Sequence, residues 1–303
     1  MNFDDNTPAP PGDEQLSVAP ESQPDASAAP DFASPSAFPP PQPVPHAREV
    51  PPDLRVPWGW TDLIFFLFLA ALTMFLIQFV AIKIFAAFGV SLFQLQHSPA
   101  RQGLFVFVTG VPMSLGLLGF LAIQMRIRSD GPPGRTIGWR PLPEGPFPRW
   151  MAALALIGLG VLLSVSVTFV SAQFRPKANL PIQTYFESRL SAILLMSMAV
   201  IIAPVFEETV FRGYMYPVIA RSWGVTSSVI VTGTLFGLMH SMQLWGGWVQ
   251  IGLLICVGLV FTYIRAVTKT VLASYLLHVS YNTTIFFGFL IASHGLRHMP
   301  SFH

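Results

Sequence analysis

Cysteine is almost absent from this chain of 303 residues. Cys256 stands alone in an apolar run, so neither an internal disulfide nor a cysteine-based metal knuckle can be built. Charge is scarce as well: Asp, Glu, Lys and Arg make up 11% of residues, while 52% are hydrophobic and the mean hydropathy is +0.56. A soluble domain carries about 25% charge, so the composition excludes an ordinary soluble enzyme and gives no reason to expect a nucleic-acid partner. It predicts a polytopic, all-helical membrane protein. A secretory signal is missing too, because Met1 is followed by acids rather than by a basic segment and an apolar core. The first span is expected to act as the membrane signal and to be retained.

What charge there is lies unevenly. Residues 1–57 hold nine acids and two bases together with 15 of the 28 prolines, in runs such as FPPPQPVP, and almost no aliphatic cluster. Such a segment buries too little apolar surface to offset the entropy of ordering, and its prolines favour extended conformations. The expectation is a disordered Pro-rich tail over residues 1–57 and a transmembrane domain over 58–303.

A membrane span needs about 20 predominantly apolar residues. Seven segments qualify: Leu63 to Ile82, Gly103 to Met125, Trp150 to Ala172, Leu190 to about Val218, Val225 to Leu244, Trp248 to Ile264 and Thr270 to Ala292. Ile84 to Phe93, after Lys83, reads as a lengthened first helix, an interfacial piece or an eighth span. With seven spans, the loops on the side of the N-terminal tail carry ten Lys and Arg residues and the other side six. The positive-inside rule then predicts a cytoplasmic N-terminus. Trp58, Trp60, Trp150, Trp223, Trp245 and Trp248 fall near predicted span ends, where an aromatic belt places them.

Against this apolar background, APVFEETVFRGYMYPV (residues 203–218) places Glu207, Glu208 and Arg212 inside the fourth span. Each charge at the bilayer centre costs roughly 3 kcal/mol on an insertion scale, so the three must be paired or used. Residues four apart share a helix face: Glu208 can reach Arg212, while Glu207 is rotated by roughly 100° and left over. The fifth span carries Phe236 and His240 in FGLMH, and the seventh carries His278 and Asn282 in HVSYN. Counted at about 1.5 Å per residue, Glu207, His240, His278 and Asn282 fall at similar depths and can meet in one site.

A carboxylate, two imidazoles and an amide shielded from bulk water suit hydrolysis of a peptide bond. Such a reaction needs a base to deprotonate water and donors aimed at the oxyanion. Glu207 fits the base, His240 a water-orienting group, and His278 with Asn282 the donors. The same residues also allow a zinc site of His240, His278 and Glu207 with an open fourth position. Other intramembrane chemistries lack their residues: there is no H-E-x-x-H, no G-x-S-x-G, and no Asp inside a span beyond Asp62 at the edge of the first. The non-enzymatic alternative is an ion-coupled transporter or scaffold that uses the buried Glu/His/Asn set. For a transporter, only Pro204 and Pro217 hint at the broken helices expected.

EETVFR, FGLMH and HVSYN, taken in order, resemble the E-E-x-x-x-R, F-x-x-x-H and H-x-x-x-N motifs of the CPBP intramembrane protease family. That family includes the type II CAAX prenyl endopeptidases and bacteriocin-immunity-like proteins. The resemblance covers about residues 187 to 292. It implies a helical bundle with a catalytic cavity open to the cytosol, in which Glu207 activates water with His240. His278 and Asn282 would hold the oxyanion, and Glu208, Arg212 and Phe236 would support the site. The implied substrate is a membrane-associated protein or lipidated peptide cleaved near its C-terminus. Either Zn2+ or a metal-free glutamate mechanism is compatible with it.

Overall fold

A computed structural model describes residues 50–174 and 179–300 of the chain. Its described residues form helices and connections, with no strand among them. Seven helices make the bundle: α1 (Trp60–Ala87), α2 (Pro99–Arg128), α3 (Arg149–Gln173), α4 (Arg189–Trp223), α5 (Val225–Met239), α6 (Trp248–Thr268) and α7 (Val271–Ala292). Six are long and apolar enough to cross a membrane. The seventh, α5, has 15 residues and spans about 22 Å, and the chain continues from it through the turn at residues 240–246. The protein is a multi-pass membrane protein. Among the described residues no eighth span forms: α1 extends to Ala87, and a short helix at Leu92–Gln96 follows. The segment before α4, Pro181–Phe186, is a 3-10 helix.

Alternating helices give the bundle two ends. At one end Trp60 donates to Ser222 Oγ, Arg128 pairs with Asp62 at 2.7 Å and the backbone N–H of Val271 bonds the carbonyl of Gly138. At the other, the N–H of Ile182 bonds the carbonyl of Gln243, Gln250 donates to Phe174 O, and Phe186 packs edge-on against Phe289. We call these the Trp60 end and the Gly247 end.

Close approach of α5 to α6 depends on glycine. A Cβ at Gly233 would lie 2.7 Å from Leu259 Cα, and one at Gly237 would lie 2.6 Å from the Ile255 backbone nitrogen. This is the small-residue packing that Gly233-x-x-x-Gly237 promises in membrane helices, where backbones meet without bulk between them.

α4 is one continuous rod that is locally widened. Met198–Ile202 and Glu208–Met215 are π-helical, and each widened stretch is followed within two residues by a proline, Pro204 and Pro217. Proline has no N–H to donate and crowds the carbonyl four residues back. An extra residue in the preceding turn relieves both problems, and such bulges recur at functional sites. The two prolines therefore widen the helix without breaking it.

The tail boundary also needs correcting. Residues 1–49 lie outside the described residues, but residues 50–57, expected in the disordered tail, are part of the bundle. Asp53 is buried and pairs with Arg265 at 3.1 Å, and Leu54 packs against Tyr216 and Ala220. Arg221 donates to the carbonyls of Val56 and Trp58. Arg265, counted in sequence as a loop charge, is 1% exposed. A buried arginine needs a counter-ion, and Asp53 provides it.

Candidate active site

The three motifs meet between α4, α5, α6 and α7. Glu208 and Arg212 are both fully buried, with Arg212 Nη1 3.0 Å from Glu208 Oε1. α6 completes the arginine's coordination: Nη2 donates to Gly258 O at 3.0 Å and Nε to Thr262 Oγ1 at 3.2 Å. Its guanidinium lies 4.4 Å from the centre of the Phe236 ring. Fixed donors, a carboxylate and an aromatic face together make an arginine tolerable in a low-dielectric interior.

Glu208 has a second partner. His278 Nδ1 lies 2.9 Å from the same Oε1 atom, and a carboxylate only accepts, so Nδ1 carries the hydrogen. That contact turns Nε2 toward Glu207, whose Oε2 is 3.7 Å away. The ring is held from both sides, edge-on to Phe236 and against Phe261 at 4.8 Å between centroids. His240, at the C-terminal cap of α5, is arranged in the same way. Its Nδ1 is 3.0 Å from Phe236 O, a carbonyl that must accept, and its Nε2 is 3.9 Å from Glu207 Oε1.

Glu207 thus faces two imidazole Nε2 atoms, each just beyond direct hydrogen-bond reach. Its side chain is 12% exposed, against 0% for Glu208. Glu207, His240, His278 and Asn282 all line one cavity of about 350 Å³. Asn282 spends one amide hydrogen on Ala199 O at 2.8 Å, inside the first π-helical stretch, and keeps a second N–H for the cavity.

Among the described residues, no three His, Cys, Asp or Glu side chains are grouped so as to hold a metal ion. Glu207 faces the Nε2 atoms of both imidazoles, and the Nδ1 contact of His278 with Glu208 leaves its Nε2 free.

Sequence reading brought every motif residue to one place, but it missed the part played by α6. Gly258, Phe261 and Thr262 hold Arg212 and His278, and they lie in an apolar run whose one charged residue, Arg265, is engaged elsewhere with Asp53. The only textual hint is the glycine at Gly258, where a Cβ would lie 2.3 Å from Gly233 O.

Fold and site together define a polytopic membrane protein with a buried Glu–His–Asn centre. Residues 189–284 match the family model described as type II CAAX prenyl endopeptidase Rce1-like. The match places this segment in the CPBP/CAAX protease family, and it contains all the motif residues. Comparison with curated proteins and with solved structures gives no match.

Proposed function

We propose that the protein is an intramembrane endopeptidase that hydrolyses a peptide bond of a membrane-associated protein with a water activated by Glu207. The observation that carries this reading is the position of Glu207: a partly accessible carboxylate facing two Nε2 atoms in the lining of one cavity. The family match supports the reaction class.

Water held between Glu207 and the imidazoles loses a proton to the carboxylate as its oxygen attacks the scissile carbonyl. The negative charge that develops on the carbonyl oxygen needs preorganised donors. Asn282 has its remaining N–H for this task, and His240 and His278 can offer Nε2–H when protonated. Collapse of the tetrahedral intermediate breaks the C–N bond, and the proton taken up by Glu207 passes to the departing amine. Glu208 and Arg212 hold His278 in one orientation and do not touch the substrate. The transporter alternative draws less support, since α4 runs unbroken through the site.

The test uses the purified full chain in detergent with internally quenched peptides, one farnesylated near its C-terminus and one apolar and unlipidated. Cleavage of either by the wild type, and its loss in Glu207→Gln, is the expected result. Equal cleavage by the two proteins would remove Glu207 from the chemistry.

A further inference from the structure

A broad recess of about 740 Å³ indents the Trp60 end of the bundle. Three arginines border it: Arg55 from the segment before α1, Arg140 from the connection between α2 and α3, and Arg221 near the end of α4. Ser129 and Thr136 add a hydroxyl edge, and the rest of the wall is apolar chain within residues 50–57. None of its described lining residues is acidic, and none of them lines the motif cavity.

Arginines at the end of a span are ordinary, because the long side chain reaches the interface. These are distinguished by what holds them, which is backbone carbonyl oxygen. Arg221 Nη1 donates to Val56 O at 3.1 Å and Nη2 to Trp58 O at 2.8 Å. Arg55 Nε donates to Val50 O at 2.8 Å and Arg140 Nε to Arg135 O at 3.4 Å. A carbonyl orients a guanidinium without cancelling its charge. Arg128, Arg149, Arg212 and Arg265 each face a carboxylate, whereas among the described residues neither Arg140 nor Arg221 does. A guanidinium has five N–H donors, so Arg221 keeps one on each terminal nitrogen and Arg140 keeps both of its terminal NH2 groups.

The walls are fixed as well. Thr270 Oγ1 accepts from the backbone N–H of Arg140 at 3.3 Å and donates to its carbonyl at 2.6 Å. The hydroxyls of Ser129 and Thr136 lie 3.0 Å apart, in hydrogen-bond contact. Residues 50–57 are pinned by the Asp53–Arg265 pair and by Leu54 against Tyr216 and Ala220. A site already ordered spares its ligand the cost of ordering it.

Rigid forks of N–H donors with uncompensated positive charge match the oxygens of a phosphate group. Depth narrows the source. α1 begins at Trp60 and α4 ends at Trp223, with their rings 5.0 Å apart, and indoles so placed sit at the level of the lipid headgroups. The recess is several times larger than a bare phosphate and has room for the alcohol of a phosphodiester. Basic pockets between membrane helices bind anionic headgroups in this way.

We propose that this recess binds the phosphate of an anionic phospholipid headgroup. The assignment is independent of the endopeptidase reading and of the side of the membrane that the Trp60 end faces.

The experiment uses the delipidated full chain in detergent, with phosphatidylglycerol, phosphatidylcholine of the same acyl chains and inorganic phosphate as separate probes. Native mass spectrometry counts bound lipid, and melting curves report stabilisation. Phosphatidylglycerol should bind and raise the melting temperature, phosphatidylcholine should do neither at the same concentration, and added salt should weaken the effect. Arg140→Gln and Arg221→Gln should each weaken binding about tenfold, the equivalent of one charge-assisted hydrogen bond. Arg221 also anchors the segment before α1, so Arg140→Gln decides the outcome if the other variant is unstable. Arg126→Gln removes the same charge from an exposed position at the same end but outside the recess, and should bind like the wild type. Equal binding of the two lipids, or equal weakening by Arg126→Gln and Arg140→Gln, overturns the proposal. Inorganic phosphate that stabilises the chain as well as the lipid does, and displaces it, keeps the phosphate site and overturns its lipid source.

Discussion

His278 Nδ1 and Arg212 Nη1 share one oxygen of Glu208, at 2.9 Å and 3.0 Å. A single buried carboxylate therefore fixes an imidazole on one side and a guanidinium on the other. The neighbouring carboxylate, Glu207, is left free to face the cavity. The division of labour between two adjacent glutamates follows from helix geometry, because consecutive residues are about 100° apart.

The two glutamates should respond differently to the same substitution. Glu207→Gln keeps the shape and removes the base, so turnover should fall by at least about a hundredfold with an unchanged melting curve. Glu208→Gln leaves Arg212 buried without its counter-ion, a loss of about 3 to 5 kcal/mol. Detergent melting curves and single-turnover rates measured on both variants check the contrast. A normal melt with lost activity for Glu208→Gln, together with full activity for Glu207→Gln, would exchange their roles.

Histidine 240 sits in a looser setting than His278, with a side chain 21% exposed against 3%. His240→Ala should accordingly lower turnover, by about tenfold to a hundredfold if it serves as one donor of several, and leave stability nearly intact. His278→Ala should lower turnover and melting temperature together, since it opens a cavity between Phe236 and Phe261 and removes one of the two donors to Glu208 Oε1. If the two variants melt alike, the difference in packing has no energetic weight.

Much of this site was legible because its determinants are local. The Glu208–Arg212 contact follows from a spacing of four, and it survives the π-helical widening that Pro204 and Pro217 impose. Similar depths for Glu207, His240, His278 and Asn282 came from counting residues along helices. The Asp53–Arg265 pair was not legible, since the two are 212 residues apart and each looks like an ordinary polar residue in a loop. Nor was the role of Gly258 and Thr262, because a carbonyl acceptor leaves no trace in side-chain chemistry. The short α5 was read as running to Leu244, although its helix ends at Met239, because the apolar composition continues through the turn.

The strap at residues 50–57 offers a second stability test. Asp53→Asn should destabilise the bundle by about 3 to 5 kcal/mol, as expected for removal of one partner from a buried ion pair. Turnover per folded molecule should stay the same, because the pair lies at the Trp60 end, away from the cavity. A chain beginning at Val50 should likewise melt higher than one beginning at Trp58, which loses Asp53, Leu54 and the Val56 carbonyl that Arg221 holds. Equal melting of the two truncations would show that the strap contributes no stability.

Metal removal discriminates the two mechanisms that share these residues. With Glu207 facing the two imidazoles and no three-ligand set among the described residues, turnover should survive dialysis against a strong chelator. Added Zn2+ should not raise it. Activity lost on chelation and restored by stoichiometric zinc would require the side chains to rearrange into a ligand set. Elemental content measured on the active, dialysed protein closes the test.

Gly237 is where packing and chemistry are most directly coupled. It lies three residues before His240, and a Cβ there would fall 2.5 to 2.7 Å from atoms of Ile255. Backbone atoms cannot rotate away as a flexible side chain can, so Gly237→Leu must push α5 from α6. Overpacking of this kind costs about 1 to 3 kcal/mol. The larger effect should be on rate, because the same displacement moves His240 on α5 relative to Glu207 on α4, and small misplacements of catalytic groups can cost about a hundredfold. Gly252→Leu is the control: it lies on α6, with nothing within 4 Å of its added Cβ, and should melt and turn over like the wild type. If Gly237→Leu also turns over normally, the close α5–α6 approach is not what sets the position of His240.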